Sequence, residues 1–280
     1  MKLGFNLLLW TPHVTLAHEP ILRALKKTGY DGVEIPMFEG DPAHYARLGE
    51  LLDKIGLERT VVSVIQGKNP LSPDKASQKA AQDYARWTID CTAALGAPIL
   101  GGPMHSELGF FSGAPATAAE RKRALSFHKR AGDYAARKNV TFALEALNRF
   151  ECYFLNTMEQ LADYVEEVNH PAIKAMYDTF HSNIEEKDPV GAIKTIRPHM
   201  VHVHISENDR GTPGKGHVPW AETYRALKKS KYDGWLTIEA FGRSMPALAA
   251  ATRVWRDFAP TPEEVYKLGY RHMKQGWARA

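Results

Sequence analysis

Short apolar runs alternate with longer amphipathic stretches from one end of the 280-residue chain to the other. The first run, Met1–Trp10, reads as a strand. A helical pattern follows from Glu19 to Lys27 and stops at Gly29. Asp31–Met37 is a second strand, Tyr45–Ile55 a helix closed by Gly56, and Thr60–Ile65 a third strand dominated by β-branched residues. Ser72-Pro-Asp-Lys opens a long helix that runs to Leu95, with Gly96 as its stop, and Pro98–Gly102 is the fourth strand. Thr117, with Glu120 three residues on, starts a helix through Arg137 in a capping-box pattern. Four further strands are expected at Thr141–Glu145, Ile173–Asp178, Met200–His204 and Trp235–Glu239. Helices at Thr157–Val168, Pro189–Ile196 and Trp220–Lys229 separate them; Met245–Phe258 and a terminal helix from Thr261 follow.

Eight strand–helix repeats without a low-complexity linker predict one α/β domain over residues 1–280. The expected fold is a single (β/α)₈ TIM barrel with a C-terminal helical extension over about 261–280. The alternative is an open doubly wound sheet. It lacks support because the first strand–helix turn carries no Gly-rich dinucleotide fingerprint.

The last four strands end unusually. Each closes on a carboxylate or imidazole (Glu145, Asp178, His204, Glu239), at spacings of 33, 26 and 35 residues that match one repeat each. With side chains alternating inward and outward, Ala143, Met176 and Thr237 share the lumen with Glu145, Asp178 and Glu239, and His202 shares it with His204. Four such residues converge at the carboxyl end of a barrel, where barrel active sites lie. A single one would be a solvated rim residue. Together, three carboxylates and a histidine suit a divalent cation, and their hard-to-borderline donors favour Mn²⁺, Mg²⁺ or Co²⁺ over a thiolate-selected metal.

Composition narrows the partners. The net charge of +4 is small for the length, and no basic run is interleaved with aromatics, so nucleic-acid binding has no electrostatic support. Cys91 and Cys152 are too few for a disulfide framework and suit a reducing cytoplasm. The N-terminal apolar stretch is too short for a signal peptide and no segment is long enough to span a bilayer, so no membrane partner is expected.

Leu144–Glu151, Asp178–Glu186, His204–Gly211 and Pro213–Trp220 together resemble the ketose 3-epimerases, which include D-tagatose, D-psicose and L-ribulose 3-epimerases among the xylose-isomerase-like barrels. The resemblance is dense from about residue 140 to 242 and only architectural before that. It implies that Glu145, Asp178, His204 and Glu239 hold the metal, and that Glu145 and Glu239 double as the catalytic acid–base pair. It also implies that Glu151, His181 and Arg210 contact the O1–O3 end of a sugar substrate, and that the chain forms a homodimer or homotetramer. The fourth-strand loop, Gly101–Phe111, departs from the expected ketohexose pattern, which leaves the sugar open.

Several other residues have two readings. Trp10, His13, Phe110, Phe111 and Trp220 either line the sugar pocket or pack the scaffold. His202 is read as a satisfied core histidine, and Glu207 as support for its loop. Gly211–Gly216 either cradles a phosphate, aided by Lys215, or forms a rim loop that needs glycine, the simpler reading. A ketose–aldose or hydroxypyruvate-type isomerase could use the same metal, as could a keto-sugar dehydratase or lyase. An apurinic-site endonuclease is disfavoured: Asp209-Arg-Gly211 lacks the histidine of that family's Asp-x-His pair. A non-catalytic binding protein would not need two carboxylates flanking the metal.

Overall fold

The computed structural model describes residues 1–280. Its strands are β1 (Lys2–Asn6), β2 (Gly32–Pro36), β3 (Glu58–Val62), β4 (Ile99–Gly102), β5 (Thr141–Leu144), β6 (Ile173–Asp178), β7 (Met200–Ile205) and β8 (Trp235–Ile238). They pair in sequence order, all parallel, and β8 closes on β1 through Lys2–Trp235 to Phe5–Ile238. The helices are α1 (Glu19–Thr28), α2 (Pro42–Ile55), α3 (Lys75–Leu95), α4 (Ala118–Arg137), α5 (Met158–Val168), α6 (Thr179–Glu185), α7 (Pro189–Ile196), α8 (Trp220–Lys229), α9 (Pro246–Thr252) and α10 (Pro262–Arg279). The expected (β/α)₈ barrel is the fold of this chain. No helix is long and apolar enough to cross a membrane.

Strand alternation divides the residues into two environments. Phe5, Val33, Ile35, Val61, Phe142, Leu144, Val203, Ile205, Leu236 and Ile238 join the apolar layer between barrel and helices. The lumen is different. At its amino end Trp235 fills the barrel, and Gly4 and Gly32 make room for it: a Cβ on Gly32 would lie 2.5 Å from the Trp235 ring. Further along, the interior is polar, with Asn6, Glu34, Thr60, His202, His204 and Thr237 all buried. Buried polar side chains on this scale require partners, and those partners define the site described below.

Capping fixes the helix starts. Asp41, Asp74, Thr117, Thr157, Asp188 and Thr261 each accept a backbone N–H of the first turn from their side chains. The terminal helix α10 packs on α8 and α1, and the Tyr30 hydroxyl donates to the Tyr266 carbonyl at 2.7 Å.

Three segments depart from the sequence pattern. The first strand stops at Asn6 because its Oδ1 accepts the Leu8 N–H at 2.8 Å and turns Leu7–Leu9 into a short 3₁₀ helix. The expected Met245–Phe258 helix is only α9. Arg253 adopts a left-handed conformation, and Val254 doubles back, bonds the Ala249 carbonyl at 2.8 Å and buries itself against Leu8, Val62 and Phe241. Burial there outweighs helix propagation. Finally, α6 begins on the residue after Asp178, where periodicity shows no separate helix.

Candidate active site and metal centre

The carboxyl ends of β5 to β8 bring four side chains to one point. Asp178 and His204 are paired across β6 and β7. Glu145 and Glu239 lie one residue beyond β5 and β8, yet their amides still continue the barrel ladder, donating to the Gly102 and Ile205 carbonyls at 3.2 and 3.3 Å. His204 Nδ1 lies 3.4 Å from Asp178 Oδ2, 3.6 Å from Glu239 Oε1 and 3.8 Å from Glu145 Oε1. Glu145 Oε1, Asp178 Oδ2 and His204 Nδ1 are fully buried and have no hydrogen-bond partner. Three orphaned donors aimed at one another would be costly without something to bind them. A small dication fits the donor set: three carboxylates and an imidazole, at spacings that suit bonds of roughly 2.0–2.4 Å.

Each donor atom is presented by a partner on its other side. Asp178 Oδ1 caps α6 by accepting the Phe180 and His181 amides at 2.6 and 3.0 Å, which leaves Oδ2 toward the centre. His204 Nε2 bonds Glu34 Oε1 at 2.6 Å, which leaves Nδ1 toward the centre. Asn6 Nδ2 donates to Glu34 Oε1 at 3.0 Å and to Glu239 Oε1 at 3.3 Å, while Thr60 donates to Glu34 Oε2 at 3.1 Å. Behind Glu145, His105 Nε2 bonds the Glu145 carbonyl at 2.9 Å, and Ser106 links the other ring nitrogen to Cys152.

Glu34, His202 and His204 are close enough to suggest a second ion site. They leave no room for one. His202 Nε2 and His204 Nε2 lie 2.8 and 2.6 Å from the two Glu34 oxygens. An ion between such atoms, about 2.1 Å from each, would hold them roughly 3 Å or more apart. Glu34 therefore serves as a buried counter-charge. His202 approaches it outside hydrogen-bond alignment, and its Nδ1 has no partner, so this histidine is less satisfied than expected of a core residue.

Charge in the cluster follows burial and neighbours. Burial pushes the Glu145 carboxyl well above its usual range, with Asp178 and Glu239 adding to it and His204 opposing. Burial, then Asp178, pushes Glu239 up to about 7. Burial would likewise raise Asp178, but His204 and His181 bring it below its ordinary value. Burial would lower His204, and the Glu34 and Glu239 carboxylates overcome that and raise it. Glu34 itself, despite burial, is held low by the two histidines.

Glu151, His181 and Arg210 come together beside the four donors. Arg210 is buried with its guanidinium between the rings of Phe180 and Phe241, 4.0 and 4.8 Å from their centroids. Nη1 and Nη2 reach the two Glu151 oxygens at 2.8 and 3.4 Å, and Nη2 lies 3.1 Å from His181 Nε2. The Arg210 backbone is left-handed, with φ of 60°. A non-glycine residue in that region is strained and persists where the surroundings determine it. Burial, with Arg210 adding, lowers His181 to about 4, so the ring is neutral. Its Nδ1 accepts the Asn148 amide at 2.9 Å, which places the ring proton on Nε2, toward Arg210 and Glu145.

These groups open into a cavity of about 300 Å³. Glu145, Glu151, His181, Arg210 and Glu239 form its polar end. The rest of the lining is largely apolar and includes Leu8, Phe38, Val62, Leu108, Phe241 and Leu248. None of the aromatic candidates for the pocket lines it. Trp10 packs on Phe5 and Tyr266, His13 stacks on His44, and Phe110 and Phe111 are exposed. Trp220 stacks on Tyr224 on the helical side. Nearness to a strand end misleads here because strand β1 ends four residues before Trp10. Nor is Gly211–Gly216 an anion cradle. Glu207 takes up the amides of Gly214 and Val218, the Asn208 amide and the Trp220 indole N–H, at 2.7–3.1 Å. Sequence reasoning misses Glu34 and Asn6. The available signal is a charged residue between two apolar neighbours, Val33-Glu-Ile35.

The xylose isomerase-like TIM barrel family matches residues 22–275. A ketose 3-epimerase of Arthrobacter globiformis is 31% identical over 95% of this chain and 93% of its own length. A D-psicose 3-epimerase of Agrobacterium fabrum is 30% identical over 92% of this chain and 91% of its own. Among solved structures, a D-allulose 3-epimerase of Methylomonas sp. in complex with D-allulose superposes with a TM-score of 0.92 at 28% identity, covering 98% of this chain and 96% of that one. These relatives are isomerase-class enzymes, and the chain belongs to the xylose isomerase-like TIM barrel family and, within it, to the ketose 3-epimerases.

Proposed function

We propose that this protein is a divalent-metal-dependent epimerase that interconverts ketoses at C3, with Glu145 and Glu239 as the proton-transfer pair. The observation that carries the reading is the set of buried, unpartnered donors on Glu145, Asp178 and His204, with Glu239 beside them and a neutral histidine and an ion-paired arginine adjoining. Its relatives act on small ketoses by name, and one was solved with D-allulose.

Glu145, Asp178, His204 and Glu239 would hold the metal. A dication held there would lower the cost of the negative charge that develops on a ketose losing its C3 proton. The donor set suits Mn²⁺, Mg²⁺ or Co²⁺, and Mn²⁺ is the ion proposed. Glu145 and Glu239 come from β5 and β8, on either flank of Asp178 and His204. One, as carboxylate, removes the C3 proton from its face of the sugar. The other, as carboxylic acid, returns a proton to the opposite face. The roles exchange with the epimer bound. In the metal-free protein burial raises both carboxyls, which favours the protonated form that one of the two roles requires.

His181 Nε2–H and Arg210 Nη2 are both donors and converge on one small volume, so a sugar oxygen can accept from each. Glu151 holds the arginine there. The apolar wall faces the rest of the sugar, excludes water and supplies few polar contacts. The reading is completed by a cytoplasmic location and a homodimeric or homotetrameric assembly, the second of which light scattering of the purified protein tests. The reaction is tested with a panel of ketopentoses and ketohexoses, Mn²⁺ and deuterated water. Deuterium entering C3 alongside the C3 epimer supports the proposal. Aldose products would identify a ketose–aldose isomerase, and no exchange in any ketose would leave only a binding protein.

A further inference from the structure

We propose that Glu34, on β2 and across the lumen from the metal donors, is the positioning residue that sets the metal centre: it fixes the His204 tautomer and, through Asn6, the placement of Glu239. The inference rests on the metal-dependent reading above, but its test requires no sugar.

Glu34 has no exposure to solvent, and it points into the lumen from the middle of its strand. A carboxylate in that position is expensive unless every lone pair is used. Both oxygens have partners. Oε1 takes His204 Nε2 at 2.6 Å and Asn6 Nδ2 at 3.0 Å, Oε2 takes the Thr60 hydroxyl at 3.1 Å, and His202 Nε2 lies 2.8 Å from Oε2 outside hydrogen-bond alignment. The short contact to His204 decides which nitrogen of that ring faces the centre. With Nε2 carrying the proton toward Glu34, Nδ1 offers its lone pair toward Asp178, Glu145 and Glu239. The ring cannot turn without breaking this bond in a sealed, close-packed lumen. The Asn6 amide bridges the same Glu34 oxygen to Glu239 Oε1, at 3.0 and 3.3 Å. One carboxylate on β2 thereby orients a donor from β7 and, at one remove, a donor from β8. Glu34 touches neither the cavity nor the three unpartnered donors that face each other. It acts through its neighbours, and the carboxylate also makes the imidazole a stronger donor.

The test compares Glu34→Gln with the native full-length protein after metal removal and titration with Mn²⁺, following free Mn²⁺ by electron paramagnetic resonance. The amide preserves volume but removes the charge and sets an N–H₂ against one of its donor partners. The expected result is Mn²⁺ affinity weakened by about 10–100-fold, with kcat recovering much of its native value once Mn²⁺ is saturating. A folded Glu34→Gln with native Mn²⁺ affinity overturns the proposal, even if its melting temperature is lower, since that is what mere space-filling predicts. If the variant does not fold, the native protein still decides. In the Mg²⁺-loaded, ¹⁵N-histidine-labelled protein, the His204 Nε2 proton must be present, shifted downfield and slow to exchange with water. An unprotonated or rapidly exchanging Nε2 overturns the proposal. Native Mn²⁺ binding with no exchange at C3 of any ketose would instead count against the proposed reaction and leave the role of Glu34 intact.

Discussion

Glu145 and Glu239 each stand one residue beyond a barrel strand and turn an oxygen toward the same nitrogen, His204 Nδ1, from 3.8 and 3.6 Å. The position is a compromise between two demands. Another residue along, the backbone would leave the barrel ladder. One residue earlier, the side chain would point outward into the apolar layer.

That placement gives the first prediction. Glu145→Gln and Glu239→Gln should each fold and lower kcat by about 10²–10⁴-fold, the usual share of a positioned acid or base. Deuterium exchange at C3, measured for both epimers of one ketose, checks it. Each variant should lose epimerisation in both directions, because in the proposed reaction each carboxyl would serve once as base and once as acid, whereas C3 exchange should be lost chiefly for the epimer whose C3 proton faces the replaced carboxyl. Native turnover in either variant would remove that residue from the proton pair.

Metal binding should strengthen as pH rises. Without a dication, burial raises Glu145 and pushes Glu239 up to about 7, and the nearby carboxylates raise His204. Each contributes stability to the metal-free fold at low pH that is lost as pH climbs through its raised value. A dication competes with the protons on these groups, so binding releases protons and is disfavoured on the acid side of about 7. The gain in melting temperature on adding Mn²⁺ should therefore grow steadily from pH 5.5 to 8. A gain independent of pH over that range would contradict the protonation states described.

Much of this architecture is legible in the residues, and the failures have physical causes. The eight strands and the convergence of Glu145, Asp178, His204 and Glu239 are readable because a charged residue at the end of an apolar run, repeated four times at barrel spacing, is hard to reconcile with independent rim positions. Glu34 is harder to single out because it sits mid-strand, where one charge between Val33 and Ile35 also describes a half-exposed strand. Only closure of the barrel turns that face inward. The helix expected through Phe258 fails for a similar reason: Val254 gains more by burial on Phe241 than by extending α9, and local periodicity carries no information about that neighbour. Assigning pocket aromatics by nearness to strand ends overlooks which way the chain leaves the strand.

Arg210 and Glu151 should not be separable. Their two-point pair is buried, so Glu151→Ala leaves a guanidinium without a counter-charge between Phe180 and Phe241. Removing one partner of such a pair costs about 3–5 kcal/mol. Arg210→Lys keeps the charge, but loses the fork that reaches Glu151 and His181 together, and should raise KM for a ketose while costing less stability than Glu151→Ala. Chemical denaturation and steady-state kinetics on both variants provide the comparison. Loss of stability without any change in KM would make the pair a scaffold element only.

The apolar wall yields the final prediction. Beyond the polar end of the cavity, Leu8, Phe38, Val62, Leu108, Phe241 and Leu248 face the space left for the remainder of a sugar, with Gln66 and Thr252 as the polar exceptions. A hydroxyl placed against that wall loses water and gains little, since an unpaired polar group is costly to bury. If, as proposed, His181, Arg210 and the metal donors hold O1–O3, the far carbons of the ketose should contribute by contact area. A 6-deoxyketohexose should accordingly react with kcat/KM equal to or above that of its parent ketohexose, whereas a 1-deoxyketose, altered at the polar end, should lose at least about tenfold, or 1.4 kcal/mol. Introducing a polar group by Leu248→Asn should shift the preference toward the 6-hydroxy sugar, because the new amide can pair with it. If removing O6 proves as harmful as removing O1, the wall does not face the distal end, and the sugar lies in the cavity the other way round.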